Sequence, residues 1–70
     1  MKMIERQHYP QLDLLLWDIH DQQIEPEFAF QIYEQRWAFV DEANLTRNEQ
    51  RLIESLTRTF ANGHFLPMGV

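Results

Sequence analysis

Hydrophobic positions recur at helical spacing in three stretches of this chain, separated by short polar connections that carry helix start and stop signals. The first stretch begins at Pro10, a residue suited to a first helical position, and runs to about Asp21. Leu12, Leu15, Leu16 and Ile19 fall on one stripe at i, i+3, i+4 and i+7, while Leu14 and Trp17 project from the other side. A strand through Leu12 to Trp17 competes with this reading, because short apolar runs are ambiguous by periodicity.

The second stretch, PEFAFQIYEQRWAFVD over residues 26–41, carries five aromatic side chains. Wound as a helix, it spreads them over an arc of roughly 200°, about twice what a surface helix needs. Phe28, Ile32 and Phe39 form one edge, and Phe30, Tyr33, Trp37 and Val40 the other. Arg36 lies between the edges, so its head must find an acidic partner or a tryptophan face, or else serve as an interface anchor.

The third stretch opens on a capping box, Thr46-Arg47-Asn48-Glu49. Its threonine hydroxyl accepts from the Glu49 amide, while the Glu49 carboxylate is expected to reach back to the Thr46 amide. Ile53, Leu56 and Phe60 follow on one face, and Asn62-Gly63 supplies a left-handed stop. Beyond it His64-Phe65-Leu66-Pro67-Met68-Gly69-Val70 is apolar and barred from continuing the helix by Pro67. The pattern predicts a single all-α domain over residues 1–70: a small antiparallel three-helix bundle, helices at about 10–21, 26–41 and 47–62, with the C-terminal tail packed back on it.

Size and charge narrow the function classes. A 70-residue chain without cysteine has no disulfide or thiolate staple, and it buries only about 60% of the surface its unfolded form exposes. No run reaches the roughly 20 apolar residues of a membrane span, and the N-terminal MKMIERQHY lacks the apolar core of a signal peptide. A cytoplasmic setting without membrane contact is expected. The net charge of −5 is unevenly placed: in residues 1–43 nine acids face Lys2, Arg6 and Arg36, while residues 44–70 hold three arginines against two glutamates. That balance opposes general phosphate binding and suits a basic partner.

Chemical motifs are sparse. Asp18, His20 and Asp21 cluster at the end of the first stretch, but His20 points away from both acids on a helix, so no metal is expected. Four Ser and Thr residues stand near no histidine in sequence, and two glycines make no phosphate loop. Neither enzyme activity nor a cofactor is expected.

The sequence therefore points to a module acting through protein–protein contact, antitoxin-like or inhibitor-like, of a kind compact bacterial or phage proteins provide. Trp17, Phe28, Arg36, Trp37 and Phe39 are its candidate partner-binding residues. One alternative is a helix-turn-helix nucleic-acid binder presenting Arg47, Asn48, Gln50, Arg51 and Arg58, although the surrounding charge argues against it. A second alternative is a structural homo-oligomer, a homodimer pairing the wide arc with itself.

Overall fold

The structure, a computed structural model, describes residues 2–65. Among these residues the chain forms three helices, α1 (Pro10–Leu15), α2 (Pro26–Arg36) and α3 (Arg47–Ala61). A short antiparallel pair, β1 (Ile4–Glu5) and β2 (Gln23–Ile24), sets Ile4 opposite Ile24 and Glu5 opposite Gln23. Single 3-10 turns occupy Arg6–His8, Trp37–Phe39 and Glu42–Asn44.

Helix α2 lies between α1 and α3 and touches both. Its Ala29, Phe30, Ile32 and Tyr33 are buried against Leu12, Leu15 and Leu16, against Leu56 of α3, and against Ile4 and Ile24 of the sheet. The sheet is therefore the element that lets one small core cover so wide an apolar arc. Only Phe28 and Phe39 of that arc are left exposed.

The helical class is as expected, but the first two helices are shorter than the periodicity predicts. The first helix stops at Leu15, not near Asp21, and at six residues it is under two turns, too short to serve as a bundle helix. The Leu16 amide is shared between the carbonyls of Leu12 (3.0 Å) and Asp13 (3.3 Å), the tightening typical of a last turn. The carbonyls of Asp13, Leu15 and Leu16 then accept from arginine side chains, and the Ile19 amide bonds the Leu16 carbonyl (2.9 Å) in a turn instead of continuing the helical ladder.

The second helix ends at Arg36, where φ −118° and ψ 18° leave the helical region and a 3-10 turn carries the chain through Phe39. The third matches its expected span to within a residue, and Asn62 (φ 51°) and Gly63 (φ 86°) provide the left-handed stop. The competing strand over Leu12 to Trp17 does not form, and the two strands present leave no periodic signal, because each is two residues long and contributes a single isoleucine. Of the apolar tail, Phe65 packs edge-on to Phe30 and Trp37, with ring centroids 6.0 and 4.9 Å away. Leu66 to Val70 lie outside the described residues.

Candidate protein-docking face

A helix as short as α1 has no stability of its own, since helix nucleation fixes several residues before hydrogen bonds compensate. It is held from both ends by charged side chains supplied from elsewhere. At its N-terminus the Glu49 carboxylate, fully buried, accepts from the amides of Gln11 (3.0 Å) and Leu12 (2.8 Å). These are among the donors that a helix start leaves without a partner. Tyr33 Oη donates to the same carboxylate at 2.7 Å.

Three donors converging on one carboxylate satisfy a group that would otherwise be costly to bury. Burial first, and the bond to Glu49 second, push the Tyr33 phenol well above its ordinary range, so it remains a donor. Only half of the expected capping box forms. Thr46 Oγ1 does accept from the Glu49 amide at 3.1 Å, but the carboxylate caps α1 instead of returning to Thr46.

The C-terminal end is fixed by two arginines. Arg6 donates to the carbonyls of Asp13 (3.1 Å), Leu16 (2.9 Å), Ile19 and Asp21 (3.3 Å), and its Nε to the Asp13 carboxylate at 2.6 Å. Arg36 donates to the Leu15 carbonyl at 2.7 Å and grips both Asp18 carboxylate oxygens at 2.7 and 3.1 Å. An anion at the start and cations at the end of α1 also complement its dipole.

This frame presents the outer side of α1. Leu14 is 66% exposed, Trp17 76% and Phe39 79%. Together with Leu15 and Arg36 they line a recess of about 220 Å³. The Arg36 guanidinium carbon lies 5.9 Å from the Trp17 ring centroid, so this arginine has found both an acid and a tryptophan face. Large apolar side chains this exposed, next to one another, make this a candidate contact surface.

Of the five candidate partner residues, the structure gathers Trp17, Arg36 and Phe39. Leu14 joins them, and its i, i+3 spacing to Trp17 was the available signal. Trp37 turns inward instead, edge-on to Tyr33 at 6.3 Å, with its indole N–H donating to Glu42 at 2.8 Å. Phe28 lines a separate recess beside Met3 and Ile24. Arg47, Asn48, Gln50, Arg51 and Arg58 are all exposed on α3. The connection from α2 to α3 spans residues 37–46, however, longer than the three- or four-residue turn of a helix-turn-helix. Among the described residues no group of three His, Asp or Glu side chains is placed to hold a metal ion, and no helix is long and apolar enough to cross a membrane.

The Arg36 hydrogen bond holds the Asp18 carboxyl below the usual carboxylate range. A depressed folded-state value stabilises the fold above the unfolded value, and that contribution is lost as pH falls through the folded one. A carbon-detected NMR titration should therefore find Asp18 protonating below the usual range, and Arg36→Ala should return it there. An ordinary midpoint in the wild-type chain would contradict the pairing.

Comparison with protein-family models, with curated proteins and with solved structures found no match.

Proposed function

We propose that this chain is a small acidic protein-binding module, antitoxin-like or inhibitor-like, that acts by docking onto another protein in a reducing cytoplasm. The observation carrying this reading is the exposed cluster of Leu14 on α1, Trp17 in the turn that follows it and Phe39 in the 3-10 turn after α2, beside a helix held by three charged side chains. Apolar anchors on a rigid frame lose little freedom on binding, so their burial goes into affinity. The net charge of −5 favours encounter with a basic partner.

The test is capture from a lysate of the source organism with wild type, Trp17→Ala and Phe39→Ala. Wild type should retain a stoichiometric partner, and each substitution should weaken retention about tenfold or more while leaving the helical circular dichroism intact. Equal capture by all three, or by none, would contradict the proposal. Light scattering of the free chain across a concentration series separates a foreign partner from a second copy, because self-pairing through this face predicts a dimer that Trp17→Ala dissolves.

A further inference from the structure

We infer that a second face, around Met3, Phe28 and Phe60, docks a basic amphipathic segment of a partner protein. The inference rests on the reading that the chain works through protein contact, and it uses none of the residues lining the Trp17 recess.

Two adjoining recesses build this face. One, of about 380 Å³, is lined by Met3, Ile24 and Phe28 together with Asp21, Gln23 and Glu25. The other, of about 310 Å³, is lined by Met3, Pro26 and Phe60 together with Glu25 and Glu27. Met3 and Glu25 belong to both, so the two form one continuous apolar floor. Met3, Phe28 and Phe60 are each exposed, and Phe60 also stacks on the buried Phe30 with centroids 6.0 Å apart. A flexible methionine between two anchored phenylalanines is a surface able to fit an apolar ridge.

The rim selects the ridge's charge. Asp21, Glu25 and Glu27 surround the floor, and none forms an ion pair among the described residues. Lys2 neighbours Met3 in sequence, and Arg6 donates to the Asp21 carbonyl (3.3 Å) while its charge is paired with Asp13, so the three rim acids outnumber the cations beside them. Glu27 in the first turn of α2 also suits the helix dipole, but Asp21 lies outside any helix and has no such role. Apolar floor and acidic rim together match a helix with one apolar stripe flanked by lysine or arginine.

The probe is a synthetic amphipathic helix of leucine and lysine, with a leucine and glutamate peptide of the same pattern as its counterpart. Titrated into the isotopically labelled full chain, the lysine peptide should move the amide signals of Met3, Ile24, Phe28 and Phe60 and leave those of Leu14, Trp17 and Phe39 in place. Phe28→Ala should weaken binding about tenfold, and Glu25→Gln with Glu27→Gln should flatten its salt dependence. Equal binding of both peptides, shifts confined to the Trp17 face, or unchanged affinity in Phe28→Ala would overturn the inference. So would concentration-dependent shifts at Phe28 without peptide, which mean a second copy occupies the face. A chain that loses its captured partner through Trp17→Ala yet ignores the lysine peptide would sink this inference and leave the first reading standing.

Discussion

Glu49→Ala will remove most or all of the stability of this chain, about 3–5 kcal/mol of loss in urea unfolding followed by circular dichroism. The carboxylate is fully buried and receives three donors, and truncation leaves two α1 amides and the Tyr33 hydroxyl without a partner. Each unsatisfied buried donor costs about 1–3 kcal/mol. A domain of this size has roughly 3–10 kcal/mol in total, so the variant sits at or beyond the edge of folding. Glu49→Gln should retain part of that loss, because its amide nitrogen faces donors where an acceptor is needed. Tyr33→Phe removes one bond from the same carboxylate and should cost about 1 kcal/mol. A loss below about 1 kcal/mol in Glu49→Ala would show that the carboxylate does not hold α1.

Arg6→Ala is the second large effect, expected at about 2–3 kcal/mol, or roughly 10–20 °C in the melting temperature. Two interactions of Arg6 compete as the cause. Its ion pair with Asp13 involves a half-exposed carboxylate and should contribute little. Its bonds to the carbonyls of Asp13, Leu16, Ile19 and Asp21 fix the backbone that leads from α1 to β2, and these dominate. Asp13→Ala should accordingly shift the melting temperature by only a few degrees. Arg6→Lys should rescue little, since an ammonium cannot fork to several carbonyls at once. Equal losses in Asp13→Ala and Arg6→Ala would assign the effect to the ion pair instead.

Local signals in the sequence were strongest where local physics decides. The Thr46 cap, the α3 periodicity and the Asn62-Gly63 stop all act within a turn of themselves, and α3 falls where they place it. The early end of α1 carries no such signal. It is set by Arg6 and Arg36, whose acceptors lie 7 to 21 residues away along the chain. Glu49 shows the limit most clearly. As the last residue of a capping box it had a local role on offer, yet its carboxylate serves Gln11 and Leu12, more than thirty residues away.

The candidate docking face was partly legible for the same reason. Trp17, Arg36 and Phe39 stood out as large or charged residues beyond what one core needs, and Leu14 was marked by its spacing to Trp17. Trp37 was misplaced because Glu42 and Phe65 give it an inward environment that helical phase does not reveal. Phe28 lies apart from the cluster, in a recess beside Ile24 of a sheet that periodicity does not reveal.

The central claim is that Glu49 builds α1 and with it the face carrying Leu14 and Trp17. Hydrogen exchange at the Gln11 and Leu12 amides tests it most directly. The second and third residues of a helix lack intrahelical acceptors and ordinarily exchange fast. Here both amides should be protected to the level of the buried core, and Glu49→Gln should speed them more than the α3 amides. Exchange in the wild-type chain at the rate of a frayed helix end would contradict the claim.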